Sequence, residues 1–88
     1  MDNVTCRICG FRYDDYYPWG EDGETPTYDN CVCCGAEFGF HDDIHACGQP
    51  IEKYRSKWIK GGAIFFIPSE QPENWNLETQ LKNIGIEL

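Results

Sequence analysis

The sequence lacks a long apolar run. Its longest purely apolar stretch, Ala63–Ile67, is far too short for a membrane-spanning helix, which needs about 20 apolar residues. Residues 1–5 lack the basic start and the apolar segment of a secretory signal peptide. We therefore expect a cytoplasmic protein with no membrane partner.

Positive charge is scarce in the first half of the chain. Residues 1–49 contain two basic side chains, Arg7 and Arg12, against ten acidic ones, whereas residues 50–88 contain five of each sign. A protein that binds nucleic acid needs a basic surface that displaces counterions from phosphates. The charge therefore disfavours a nucleic-acid-binding zinc ribbon and predicts no nucleic-acid partner. It favours another protein with a basic surface as the partner.

Motifs for catalysis are missing as well. The sequence has no glycine-rich phosphate loop followed by lysine, and no H-E-x-x-H. A nucleophile pair of Cys33 or Cys47 with His41 is the one arrangement left open. The sequence predicts that the protein is not an enzyme.

Cysteine, in contrast, is abundant, with six in 88 residues. A domain of this size has a small apolar core and often adds a metal ion or disulfides. Thiols stay reduced in the cytoplasm, so the pattern favours metal binding over disulfides.

Four of the cysteines form two C-x-x-C-G segments, here named the first cysteine turn (Cys6–Gly10) and the second cysteine turn (Cys31–Gly35). The spacing is C-x2-C-x21-C-x2-C, with a gap slightly longer than in the usual zinc ribbon. Two intervening residues allow both thiolates of a turn to reach one ion, and four thiolates complete a tetrahedral site. The predicted ligands of a structural zinc ion are Cys6, Cys9, Cys31 and Cys34.

The other potential ligands have less defined roles. Cys33 is predicted to be a buried, inert thiol, with a redox-active thiol or a Cys31–Cys33 ligand pair as alternatives. His41, His45 and Cys47 form H-x3-H-x-C, which is typical of surface residues in a loop. A second metal site there, or replacement of one cysteine of the main site, is the alternative.

Aromatic residues follow both turns at the same spacing. Phe11 and Tyr13 share one face of a short strand, and Phe38 and Phe40 repeat that spacing. Two such units can enclose their rings beside the metal. The intervening residues 18–27 are predicted to be a solvated loop, with an acidic contact loop anchored by Trp19 as the alternative.

The second half predicts a helix, a strand and another helix. An apolar stripe indicates a helix over residues 50–60, with a solvated basic face opposite. Residues 63–67 suit a short buried strand. A final helix over residues 77–84 is capped by Asn76. Trp58 and Trp75 are expected to pack between these segments and the first half.

Two resemblances extend this interpretation. The residues C-R-I-C-G-F-R-Y-D from Cys6, with the second cysteine turn, resemble the two knuckles of rubredoxin. That likeness covers about the first forty residues and implies a rubredoxin-like fold, with iron electron transfer as an alternative function. The shorter gap and the missing proline after Cys31 depart from the rubredoxin pattern.

A second resemblance covers nearly the whole chain. The segments C-V-C-C-G-A-E-F-G-F-H-D-D from Cys31, Y-R-S-K-W-I-K-G-G from Tyr54 and P-E-N-W from Pro72 are similar to small bacterial cysteine-rich proteins of the CPCC kind. This resemblance implies a cytoplasmic bacterial zinc-binding protein and supplies no activity.

The predicted architecture is one α+β domain spanning residues 1–88. Residues 1–47 form a rubredoxin-like zinc ribbon with two knuckle hairpins, and residues 48–88 form a helix–strand–helix extension packed on it. The predicted function is a protein-interaction module with a structural zinc ion and an acidic surface.

Overall fold

The computed structural model describes residues 3–87. Within them the chain forms helices α1 (Ile44–Cys47), α2 (Ile51–Lys60) and α3 (Leu77–Lys82) and a short 3-10 helix (Pro68–Glu70). Their β-structure is limited to two isolated antiparallel bridges, Thr5–Arg12 and Asn30–Glu37. The α+β prediction is therefore confirmed only coarsely, as three helices with little strand. No helix of residues 3–87 has the length and apolar character needed to cross a membrane.

The two cysteine turns have the same backbone geometry. In the first, the Cys6 amide donates to the Phe11 carbonyl (2.9 Å) and the Gly10 amide to the Cys6 carbonyl (3.0 Å). In the second cysteine turn, the Cys31 amide donates to the Ala36 carbonyl in the same way (2.8 Å). The glycine that closes each turn has φ of 84° or 77°, which glycine adopts without strain. One local pattern thus brings two pairs of thiols to the centre of the molecule.

Aromatic rings enclose this centre. The ring of Tyr13 lies 5.0 Å from Phe11 and 6.2 Å from Phe38, and Phe38 is buried. Phe40 departs from the expected repeat: its side chain is 39% exposed and packs on His41. The reason is that the chain turns after the bridge at residue 37, so no outgoing strand aligns Phe38 with Phe40.

Helix α2 begins one residue later than predicted. Pro50 has an extended ψ of 151° and accepts the Lys53 amide from a position just before the helix. The end is as expected, because Gly62 adopts a φ of 105° and breaks the helix. Tyr54 and Trp58 of the apolar stripe pack against the core.

The prediction that the basic face of α2 is solvated is wrong at Arg55. Its guanidinium donates to the carbonyls of Ile8 (2.6 Å) and Arg7 (3.1 Å). These carbonyls lie inside the first cysteine turn, where neither is used by the two backbone bonds of the turn. Arg55 therefore connects α2 to the cysteine turn and is not free for a partner.

The prediction of a buried strand over residues 63–67 is wrong in part. Its first residue has a left-handed φ of 51°, and although the amides of Phe66 and Ile67 donate to carbonyls of the second cysteine turn (both 2.9 Å), no strand forms. Phe65 is buried, whereas Ile64 and Phe66 are 70% and 57% exposed. The left-handed residue at the start of this apolar run interrupts the regular geometry of a strand, and part of the run remains in solvent.

Helix α3 ends at Lys82, two residues before the predicted end, and its N-terminus is capped as predicted. The Asn76 side chain accepts the Thr79 amide (2.9 Å). Leu81 is buried on the inner face of the helix. The side chain of Asn83 donates to the Gly10 carbonyl (2.9 Å), which fixes the end of α3 against the first cysteine turn.

Trp19 belongs to the folded structure of the loop over residues 18–27. The Arg7 guanidinium lies 4.1 Å from the centre of its ring, and its indole N–H donates to the buried Asp42 (2.6 Å). These contacts hold the half-buried Trp19 ring in the fold, and the alternative of an acidic contact loop anchored by Trp19 stays a prediction. Division of the chain at residue 47 stays a prediction.

Candidate metal centre

The two cysteine turns bring four buried thiols together. Their sulfur atoms all lie within 4.8 Å of one another. The Cys6 and Cys34 sulfurs are 3.8 Å apart, and the Cys9 and Cys31 sulfurs are 3.7 Å apart. The cysteine cluster is the name used below for Cys6, Cys9, Cys31 and Cys34.

These distances fit a single tetrahedral ion. Zinc–thiolate bonds of about 2.3 Å in a regular tetrahedron separate the sulfurs by roughly 3.8 Å. Two of the six sulfur separations have this value and the others are at most 4.8 Å, so the cysteine cluster could hold one metal ion. Tetrahedral sulfur sites suit zinc or iron, so the distances do not select between them.

Tyr13 contributes a hydrogen bond that the sequence did not reveal. Its hydroxyl donates to the Cys31 sulfur (3.4 Å) and accepts the Val32 amide (3.0 Å). Such outer contacts orient metal ligands and stabilise the thiolate form. The spacing of Tyr13 indicated only a core aromatic residue, because nothing local shows that its hydroxyl reaches a sulfur.

The thiols of the cluster differ in their affinity for protons. Hydrogen bonds from neighbouring thiols, with Cys34 first, lower the pKa of Cys31. Burial is the main reason that the pKa of Cys9 is raised well above its ordinary value. Burial, followed by the charge of Cys34, raises the pKa of Tyr54 to about 12, so this phenol remains a neutral donor to the Cys34 carbonyl (3.0 Å). A divalent cation would compensate half of the negative charge that four thiolates bring to this buried centre.

Cys33 lies outside the cluster although it precedes Cys34. It is fully buried, and its sulfur accepts the side-chain amide of Gln80 (3.3 Å). The buried position agrees with the predicted one, and Cys34 rather than Cys33 joins Cys31 in the cluster.

The residues His41, His45 and Cys47 do not gather into a second metal cluster within residues 3–87. The His41 ring nitrogen Nδ1 accepts the Glu37 amide (2.9 Å), His45 is exposed, and the Cys47 thiol donates to the Gln49 carbonyl (3.4 Å). Each of the three therefore lies in a separate local environment.

Gln80 is the second residue beside the cluster that the sequence did not single out. From α3 its amide N–H groups reach the Cys9 carbonyl (2.9 Å) and the Cys33 sulfur, while its oxygen accepts the Trp75 indole N–H (2.6 Å). One buried side chain thus joins α3 to both cysteine turns.

We expect Gln80→Ala to lower the free energy of unfolding by about 3 kcal/mol, because it leaves buried hydrogen-bonding groups without partners and opens a cavity. Gln71→Ala, at an exposed position, is the matched control and should change stability by less than about 0.5 kcal/mol. Thermal unfolding of both variants at one fixed zinc concentration measures the difference. Equal stability of the two variants would contradict the role assigned to Gln80.

Comparison with known proteins identifies relatives of the chain. The uncharacterized protein YozI of Bacillus subtilis (strain 168) is 32% identical over 81 aligned residues, covering 78% of this chain and 67% of YozI. The chain belongs to the YozI family. The uncharacterized protein YoaQ of the same organism is 28% identical over 104 aligned residues, covering 96% of this chain and 88% of YoaQ.

Membership in the YozI family confirms the expected similarity to small bacterial proteins, while the CPCC type stays a prediction. No protein-family model matches the chain. No solved structure matches it significantly either.

Proposed function

We propose that the cysteine cluster holds one structural zinc ion and that the protein is a zinc-stabilised interaction module. The observation that carries this proposal is the separation of 3.7–3.8 Å within the Cys9–Cys31 and Cys6–Cys34 sulfur pairs, which matches a tetrahedral thiolate site. Four protein ligands fill the coordination sphere, which leaves no position for a water or a substrate. A closed site of this kind supports a structural role for the ion, and the absence of enzymatic activity is part of the proposal.

The proposed architecture is a rubredoxin-like zinc ribbon of two knuckle hairpins. Its support is the repeated backbone geometry of the two cysteine turns and the single bridge that flanks each of them. All six cysteines are free thiols, which accords with the reducing cytoplasm proposed as the location.

Metal analysis tests the zinc proposal directly. We expect mass spectrometry of the freshly purified protein to find about one zinc ion per chain, with no visible absorption band. Cys31→Ser should lower the zinc content, whereas Cys47→Ser, outside the cluster, should retain it. Protein purified under reducing conditions without any metal would contradict the proposal.

The proposed partner is a protein with a basic surface. Six exposed carboxylates lie within 16 residues of the first half: Asp14, Asp15, Glu21, Asp22, Glu24 and Asp29. Arg7, one of the two basic residues in this half, is held by Trp19 and the Gly23 carbonyl. Negative charge therefore prevails at these six exposed positions, here named the acidic surface. This charge would steer a basic partner toward them.

Charge reversal tests whether binding of a basic partner depends on this surface or on the net charge of the protein. With a basic partner isolated by affinity purification, the double variant Glu21→Lys/Glu24→Lys should bind about tenfold more weakly at low salt. The control Glu73→Lys/Glu78→Lys changes net charge equally in the second half. Equal weakening by both variants would indicate net charge alone and would contradict a specific acidic surface.

An iron electron carrier is the second candidate. It is favoured by Cys34, the cluster residue that lines a surface cavity, which would bring the site close to a redox partner. One iron per chain, with visible bands that bleach on reduction, would favour this function over the zinc module.

A further inference from the structure

Two adjoining cavities form a cleft beside α2, separate from the acidic surface. They measure about 480 and 290 Å³ and share His41, Tyr54 and Lys57 in their walls. Together they reach the size range of small-molecule sites, which is about 300–1,000 Å³. The name α2 cleft is used for the two cavities together.

The walls of the α2 cleft are largely apolar because the polar groups of Tyr54 and Trp58 are hydrogen-bonded within the protein. The Tyr54 hydroxyl donates to the Cys34 carbonyl and the Trp58 indole N–H donates to the Ile64 carbonyl, each at 3.0 Å. The side chain of Ile64 is mostly exposed and adds apolar surface at one end, and Phe40 adds a further ring at the other. These walls suit the apolar or aromatic part of a ligand.

The charged side chains that line the α2 cleft are lysines, and its other polar side chains include His41, Cys47 and Gln49. Lys53 and Lys57 line it, and neither ammonium group forms a hydrogen bond or ion pair with any part of the chain that the structure describes. Since the His41 atom Nδ1 accepts the Glu37 amide, a neutral His41 carries its proton on Nε2 and can donate with it. No carboxylate of residues 3–87 lines either cavity.

From this combination we propose that the α2 cleft binds a small organic anion with an aromatic or apolar body. The aromatic rings would cover the body of the ligand, and Lys57, with Lys53 or His41, would receive its carboxylate or sulfonate. An anion is the occupant because unpaired positive charge faces an apolar hollow in a protein whose net charge is −8. The proposal goes beyond the zinc-stabilised interaction module and does not depend on the acidic surface.

Titration of the full chain, as purified, with naphthalene-2-sulfonate tests the proposal by NMR. We expect saturable shifts of the backbone amides of Tyr54, Lys57, Gly61 and Ile64, which line the larger cavity. The neutral 2-naphthol should bind at least about tenfold more weakly, because it lacks the charge-assisted bonds. Inorganic sulfate, which lacks the apolar body, should also bind at least about tenfold more weakly.

Two lysines of α2 provide a matched pair of variants. Lys57→Gln should weaken naphthalene-2-sulfonate binding by about tenfold, since it removes one charge-assisted bond. Lys60→Gln, on the same helix and exposed but outside both cavities, should change binding by less than about twofold. Ile64→Asp places a carboxylate at the exposed end of the cleft and should abolish binding while its NMR spectrum remains folded.

Several results would overturn the proposal. Absence of saturable shifts up to the solubility limit would do so, as would shifts confined to residues outside the cleft. Equal loss of affinity in Lys57→Gln and Lys60→Gln would reduce the effect to net charge, and binding of 2-naphthol as tight as that of the sulfonate would remove the role of the lysines.

Discussion

Removal of the proposed zinc ion should unfold the centre of the protein. Five cysteines belong to the main buried core, and four of them converge on one point. Without an ion, the sulfur atoms lose the bonds through which one metal ion would join the two cysteine turns, and any thiolate left at this buried point would lack a compensating charge. Zinc binding to such sites contributes about 10–16 kcal/mol, comparable with the whole stability of a small domain.

Circular dichroism and one-dimensional NMR during titration with a strong chelator under reducing conditions measure this effect. We expect the dispersed signals of core aromatic residues such as Phe38 to collapse, and to return when one equivalent of zinc is added. Cys9→Ser should mimic chelation, and Cys47→Ser should not. A chelated, metal-free protein with an unchanged spectrum and melting temperature would contradict the structural role of the ion.

Gly10→Ala should be the most damaging single substitution of a glycine. Gly10 has a φ of 84°, and a Cβ at this position would lie 2.4 Å from the Gln80 carbonyl oxygen of the α3 backbone. This contact cannot be relieved by a side-chain rotation, so α3 has to move away from the first cysteine turn. We expect a loss of about 4 kcal/mol from the positive φ and the overlap together.

Gly48→Ala separates these two contributions. Gly48 also has a positive φ, 75°, but a Cβ there would have no neighbour within 4 Å. Its replacement should cost only about 1 kcal/mol, the conformational penalty of a positive φ for alanine. Thermal unfolding at fixed zinc concentration compares the variants, and similar melting temperatures for both would show that α3 does not pack tightly against Gly10.

Local patterns in the sequence determined the features that depend on neighbours in the chain. Two C-x-x-C-G segments specify two identical turns, because the glycine spacing and the positive φ are local requirements. The apolar stripe of α2 and the Asn76 cap of α3 are likewise contained within a few residues. The predicted ends of α2 and α3 lie within two residues of the observed ends. The choice of zinc and of partner stays a prediction.

Tertiary structure alone decided which polar groups support the centre. Arg55 bonds a carbonyl 47 residues earlier, and Gln80 bonds one 71 residues earlier. Both looked like ordinary polar residues of helices, because helical periodicity shows which face a residue occupies and not which group it meets. The exposure of Ile64 and Phe66 is also a tertiary outcome, since their apolar sequence suits a buried strand but no other segment of residues 3–87 covers them.

The sequence by itself therefore determined the four thiols, the turns that hold them and helices α2 and α3, whereas helix α1 lies in a segment that was predicted to be a loop. Only the tertiary structure decided that Tyr13, Arg55 and Gln80 attach to those turns, and that α2 borders a cleft with unpaired lysines. The physical reason is range: spacing fixes geometry over a few residues, whereas hydrogen bonds between distant segments form only when the whole chain has packed.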